Sequence, residues 1–576
     1  MNAMLVLLVS IAVLVAGYFL YGGWLAKQWG VDPSRPTPAH SMEDGVDYVP
    51  AKPYVVLGHH FSSIAGAGPI NGPIQAAIFG WVPVLLWVLI GGIFFGAMHD
   101  FGALFASIRH KGQTIATVIR DNIDGSAKKL FCIFAYLTLI LVVAAFASIV
   151  ANTFADPDGT NIANARTATI SVLFILVAIV YGLLTRGRNL PGWLNILSAI
   201  AILVVIVAIG YNFPILGGIS GQIWMLVIGV YIFAASIAPV WILLQPRDYL
   251  SSYLLYGMIL LAVIGIIGAG ISGNVGSIAD MPAFNGFNVD ASVKGDSKVA
   301  ATGFLFPALF ITIACGAISG FHSLVASGTT SKQIDKESHA QPIAYGGMLL
   351  ECLVAVISLC AVGFVFAGYM DGSYASPTQV FAGGIAAMLG TVLPGIGGDS
   401  GSLAYSLLIL AVSAFCLTSL DTATRLGRYM FQELLSEGEE ERTDGKQSKV
   451  LVNTYVATAI TVVLGVALGM TGYTIIWPLF GAANQLLAVL ALLAVAAWLA
   501  NAGKNNKMFY IPMVFMLAAT LSSLVITIIQ KSQAIMAGGD IMAPAIQLTL
   551  AVILIVLAVV LVFKGCKTLF GKKQEA

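Results

Sequence analysis

Seven ionisable side chains stand inside long apolar stretches of this sequence: His59, His60, His99, Asp100, His322, Glu351 and Asp421. A charge at the centre of a bilayer costs about 2.5–3.5 kcal/mol on insertion scales, so each is a functional candidate. Imidazole beside carboxylate can exchange a proton near neutral pH, and His99 and Asp100 are neighbours. Ser319, His322 and Ser323 stand at i, i+3 and i+4, one face of a helix. No Lys or Arg is expected within the spans. An anion would therefore depend on backbone N–H groups and the positive end of a half-helix.

The stretch 58–72, G-H-H-F-S-S-I-A-G-A-G-P-I-N-G, offers such an end. Gly costs about 1 kcal/mol and Pro about 3 kcal/mol in a helix interior. Residues 65–72 therefore read as a break in a membrane helix, with a half-helix starting near Ile70 and glycines that let a ligand approach the backbone. Broken helices at membrane depth line wet cavities, and in transporters they hold the substrate. The candidate substrate contacts are His59, His60, Ser63, Gly66, Ala67, Gly68, Pro69, Asn71, Ser236, Ser319 and His322. The candidate coupling groups are His99, Asp100, His322, Glu351 and Asp421. Blander readings stand beside these. Asp421 has Arg425 at i+4 for a structural ion pair, and His99–Asp100 could pair with Arg109 at an inner gate. The serines could bond back to their own helix, and Thr329, Thr330 and Ser331 read as a cap or gate. Asn484–Gln485 reads as interhelical hydrogen bonding, and E-G-E-E-E-R (437–442) as solvated charge.

The elements that must position these groups are membrane helices. Of the 576 residues, 58% are hydrophobic and 10% charged, against about 25% charge in soluble domains. No metal is expected, because the six cysteines lack metal-ligand spacing. No cleavable signal peptide is expected either, since Lys27 is the first basic residue and follows the first apolar run. Apolar runs of about 20 residues predict about fifteen spans. They are divided as an extra helix (1–27), a Pro-rich cytoplasmic linker (28–56), a first unit (57–211), a second unit (221–424), a cytoplasmic loop (425–448) and C-terminal helices (449–576). With the N-terminus outside, all but four of the 28 Lys and Arg (Arg166, Lys294, Lys298 and Lys531) fall inside, as the positive-inside rule requires. The second unit opens on a span containing A-S-I-A-P (235–239), which reads as another broken helix. Two five-span units of opposite orientation, each led by a broken helix, follow the logic of a LeuT-like inverted repeat.

Several motifs resemble those of the carbon starvation protein A (CstA) family. They are D-G-V-D-Y-V-P (44–50), G-H-H-F-S-S-I-A-G-A-G-P-I (58–70), G-A-M-H-D-F (96–101), Q-P-R-D-Y-L (245–250), C-G-A-I-S-G-F-H-S-L-V-A-S-G-T-T-S-K (315–332), S-L-D-T-A-T-R-L-G-R-Y (419–429) and W-P-L-F-G-A-A-N-Q-L (477–486). The resemblance implies a bacterial inner-membrane transporter with LeuT-like helices and proton-coupled uptake of pyruvate. A di- or tripeptide symporter is the alternative reading. It implies a small-molecule substrate, membrane lipids as surroundings, no nucleic acid, no obligatory protein partner and no cofactor, with the proton as coupling ion and sodium as the other option. A channel, a sensor and an intramembrane hydrolase are remote. There is no H-E-x-x-H motif, and G-A-I-S-G (316–320) does not match a serine-protease signature.

Overall fold

The computed structural model describes residues 2–45, 47–185, 191–239, 242–289, 303–313, 315–436, 450–538 and 541–570. The acidic run 437–442, Lys294 and Lys298 lie outside the described residues. Among those described, eleven helices are long and apolar enough to cross a bilayer, so this is a multi-pass membrane protein. A two-stranded antiparallel pair, Asn288–Val289 with Gly303–Phe304, is the only sheet in the described part.

The chain begins with α1 (Ala3–Trp29). The first interrupted helix follows as α2 (Pro53–Ile64) and α3 (Gly68–Ala76). Next come α4 (Trp81–Arg109), α5 (Ile115–Asn122), α6 (Gly125–Phe154), α7 (Ile162–Thr185) and α8 (Gly192–Asn212). They lead to α9 (Gly221–Ile237) and α10 (Leu244–Ser272). A second interrupted helix is formed by α11 (Leu305–Thr312) and α12 (Gly320–Gly328). The rest are α13 (Glu337–Phe364), α14 (Pro377–Gly390), α15 (Leu403–Ser436), α16 (Thr454–Gly469), α17 (Tyr473–Asn501), α18 (Tyr510–Met536) and α19 (Met542–Phe570). The expected spans that are not among the eleven long helices fall on the shorter apolar helices α9 and α16 and on the two interrupted ones.

The first break is narrower than its glycines imply. Helix α2 closes at Ile64, and the Asn71 amide already bonds the Ala67 carbonyl at 2.8 Å, so only residues 65–67 are irregular. Pro69 sits in the first turn of α3, where its missing N–H costs nothing. The second break is not at A-S-I-A-P. Helix α9 is regular through Ile237, and Ala238 is extended. That proline therefore ends one helix before another begins. The second break is the segment before Ser319, which is itself extended (φ −142°, ψ 126°) and caps α12.

Helices α6 and α15 lie along each other at the centre, with α9 and α16 packed on both and on one another. The connector helix α5 packs on α4, α6, α12 and α17, whereas α14 packs on α13, α15, α3 and α10. Helices α13, α15 and α17 are almost wholly buried, while α1, α8, α18 and α19 expose most of their apolar surface. Ion pairs gather at one face of the bundle, which we call the basic face: Arg109–Glu337 (2.6 Å), Lys128–Glu433 (3.0 Å) and Lys564–Asp124 (3.0 Å). The linker after α1 is fixed on this face, where the amides of Val49 and Ala51 bond the carbonyls of Lys332 and Gln333.

Candidate functional site

The two interrupted helices meet at their breaks, and glycine is what allows it. A Cβ on Gly72 would lie 2.7 Å from the Thr312 carbonyl oxygen, and one on Gly66 would lie 2.7 Å from the Phe146 ring. A Cβ on Gly68 would run into the Cys315 side chain. These glycines were expected to bring a ligand to the backbone. Gly66, Ala67, Gly68 and Pro69 are buried, with Phe146 and Ser419 against Gly66 and Cys315 against Gly68.

Beside the breaks runs a chain of titratable groups. Asp100 on α4 bonds His99 Nδ1 through one oxygen (2.7 Å) and His322 Nδ1 through the other (2.8 Å). The far nitrogen of His322, on α12, faces Glu351 Oε2 of α13 at 3.4 Å. All four side chains are almost fully buried, and no Lys or Arg pairs with any of them among the described residues. Arg109 was a candidate partner for Asp100 but is bound to Glu337 instead. Cys315 Sγ, His322 and Glu351 place three potential ligand atoms within 4.8 Å of one another. The Cys315 thiol also contacts Ser319 Oγ at 3.7 Å.

A second cluster lies nearer the basic face. His59 Nδ1 meets Asp248 at 2.8 Å. Arg247 donates to Asp248 (2.7 Å) and to the Tyr231 hydroxyl (2.6 Å). Tyr231 donates to Asp421 at 2.6 Å, and Arg247 also pairs directly with Asp421. Two expectations fail here. Asp421 does not pair with Arg425, whose Nη2 instead caps the carbonyls of Ala235 and Ala238 at the end of α9. Nor are the spans free of fixed cations: Arg247, in the first turn of α10, is 1% exposed. It belongs to the motif Q-P-R-D-Y-L, which opens α10. Asp421 remains a candidate coupling residue by sequence, but here it is held by a guanidinium.

The other candidates are dispersed. His60 Nδ1 meets Thr330 Oγ1 at 2.9 Å. The Ser63 carbonyl accepts from Ser419 Oγ at 2.9 Å. Ser319 is not on the α12 face with His322 but at its cap, bonded by Asn484 Nδ2 at 3.0 Å. Asn484 Oδ1 also accepts from the Phe321 amide at 2.8 Å, so this residue closes the break. Ser323 bonds back to the Gly320 carbonyl at 2.7 Å. Ser236 is buried near the end of α9 with no partner for its Oγ among the described residues. Asn71, equally unpartnered at Oδ1, lines a polar cavity of about 250 Å³ with Asn152, Asn164 and Thr378, away from the basic face.

The model of the family described as "Carbon starvation protein CstA" matches residues 2–371 and 366–523. The "Peptide transporter CstA" of Campylobacter jejuni is 32% identical over 588 residues, covering 90% of this chain and 79% of the relative. Its Escherichia coli namesake is 33% identical, covering 91% and 80%. The "Pyruvate/proton symporter BtsT" of Escherichia coli is 32% identical, covering 85% and 76%. Among solved structures, a mutant manganese transporter of Eremococcus coleocola superposes with TM-score 0.49 at 12% identity, over 92% of this chain and 99% of that one. MhsT in complex with L-phenylalanine gives 0.48 at 13%, over 82% and 99%. On the match of its family model and the extent of these relatives, the chain belongs to the carbon starvation protein CstA family.

Proposed function

We propose that this protein is a secondary active transporter, not an enzyme, that couples entry of a small carboxylate such as pyruvate to protons across the bacterial inner membrane. The observation that carries the reading is the buried Asp100–His322–Glu351 chain. Two carboxylates in a site without a fixed cation call for a mobile one, because unpaired buried charge is too costly, and in this reading the mobile cation is the proton. His322 belongs to the half-helix α12, while its partners stand on α4 and α13. Gain or loss of a proton therefore changes the bonds that tie a broken helix to its neighbours. The Arg247 cluster differs in holding a fixed cation between its two carboxylates, Asp248 and Asp421. It serves as a latch.

The fold we propose is a LeuT-like inverted repeat with boundaries different from those expected. One unit is α2/α3, α4, α6, α9 and α10; the other is α11/α12, α13, α15, α16 and α17. The mirrored contacts of α5 and α14 and the central α6–α15 pair support this pairing. Helices α7 and α8 are then an inserted hairpin, and α1, α18 and α19 flank the core. Substrate enters through the polar cavity floored by Asn71. Alternating access is one set of helices rocking against the other. No cofactor is required. The proton is the coupling ion in this reading and sodium its competitor. No obligatory protein partner is included, and surrounding lipids are the only other contact.

The names of the relatives favour a second substrate class, di- and tripeptides. Uptake of labelled pyruvate into proteoliposomes under an inward proton gradient, with unlabelled peptides as competitors, decides between them. Saturable, gradient-dependent uptake that peptides leave unchanged supports the carboxylate. Absence of pyruvate uptake, with peptide-driven acidification of the lumen, moves the assignment to peptides. In the same assay His322→Ala is expected to abolish accumulation, and normal accumulation would remove His322 from coupling.

A further inference from the structure

A narrow crevice opens on the basic face between α2, the start of α10, the end of α12 and α15. It is used by neither the proton chain nor the outer cavity. Arg425 lines it, is 5% exposed, and is fixed by the two carbonyls its Nη2 caps. Its Nε has no hydrogen-bond partner among the described residues. Lys332 lines the same crevice with its ammonium over the rings of Tyr48 (5.2 Å) and Tyr429 (5.7 Å). Asp47 is the one acidic side chain in the described lining, so the walls carry a net positive charge. Thr329 and Thr422 add hydroxyls. His59 completes the wall with an unpartnered Nε2. The fixed cations of the lining are Arg425 and Lys332.

We propose that this crevice is a second anion site, which takes a small carboxylate from the basic face. Arg425 supplies the buried, oriented donor, and guanidinium–carboxylate bonds are among the stronger ones available. Lys332 supplies the field at the mouth. The volume of about 20 Å³ holds about one water. Binding of a carboxylate thus requires the crevice to widen. The inference rests on the transporter reading for the role of the site, as the last station on the substrate's path, but not for its existence.

Chemical protection tests it without a gradient. The full-length protein in nanodiscs has one partly exposed cysteine, Cys566, among otherwise buried ones. In a Cys566→Ser background, the half-buried Thr329 is replaced (Thr329→Cys) and its reaction with an uncharged maleimide is timed. Saturating pyruvate is expected to slow labelling about tenfold, and uncharged pyruvamide to leave it unchanged. Arg425→Gln is expected to remove the protection, Arg425→Lys to keep part of it, and Lys332→Gln to weaken it. Should Arg425→Gln misfold, the two milder variants decide. Equal labelling with and without pyruvate overturns the site, as does equal protection in the variants. Protection by inorganic phosphate but not by pyruvate overturns the carboxylate assignment. Absence of protection in the Thr329→Cys protein with otherwise native lining, alongside intact uptake, sinks this inference alone. Protection without uptake sinks the transporter reading alone.

Discussion

Two buried carboxylates in this protein, Asp100 and Asp421, are held by opposite means. Asp421 faces a guanidinium and a phenol, whereas Asp100 faces two imidazoles. The consequences of neutralising each should therefore diverge. Asp421→Asn weakens the charged hydrogen bonds from Arg247 and Tyr231, while Asp248 stays paired with Arg247 at 2.7 Å, so the cost is that of a charged hydrogen bond, about 1.5–3 kcal/mol. A clear drop in melting temperature of the purified protein is expected, whatever happens to uptake. Asp100→Asn removes a proton-exchanging group without stranding a fixed charge. Its melting temperature should stay near that of the parent, while gradient-driven accumulation is lost and solute exchange at equal pH persists. A stable Asp421→Asn protein, or an Asp100→Asn protein that still accumulates substrate, would contradict this division. The sequence displayed both aspartates as intramembrane acids. What it could not display was their partners, since Tyr231 and Arg247 are distant in the chain. With no Lys or Arg expected within a span, Arg247 was not among the candidates.

Among the elements, the first break was legible because Gly and Pro cluster at 66–69, where helix propensity collapses. The false one at A-S-I-A-P shows the limit of that signal. A proline marks where a helix cannot continue, but not whether the chain resumes in the same direction. The glycines themselves are explained by what touches them. At Gly66 the obstacle is the edge of the Phe146 ring, which can tilt; at Gly72 it is the backbone of α11, Thr312 and Ile313. Gly72→Ala should therefore be the more damaging substitution, at the upper end of the roughly 1–3 kcal/mol typical of overpacking. Gly66→Ala should be milder, and Phe146→Leu should relieve part of its cost. Thermal unfolding of the single and double variants measures both effects. Equal losses at the two glycines would mean that the interrupted helices do not meet as closely as described.

For the whole molecule, the chief question is which helices the transport core needs, and the α7–α8 hairpin is the part whose removal can be argued in advance. Its two ends are already joined: the Asp156 amide bonds the Ile219 carbonyl at 3.0 Å. The hairpin packs on the outside of α10 and α15 through a separate apolar cluster that includes Phe174, Leu203, Leu250 and Leu410. Deleting residues 157–218 removes two spans, so the orientation of every later helix is kept. It leaves Leu250 and Leu410 facing lipid tails, which are as apolar as the side chains they replace. No group of the proton chain or of the Arg247 cluster lies in the deleted segment. The shortened protein is therefore expected to insert, to remain monodisperse in detergent, and to keep gradient-driven uptake within about threefold of the parent, a change of under 1 kcal/mol. One cost is foreseen. Asn164 lines the outer cavity, so the apparent affinity from that side should fall more than the maximal rate. A deletion that inserts but cannot transport would place the hairpin inside the moving core. The two repeats would then have to be redrawn with α7 and α8 as members of the first.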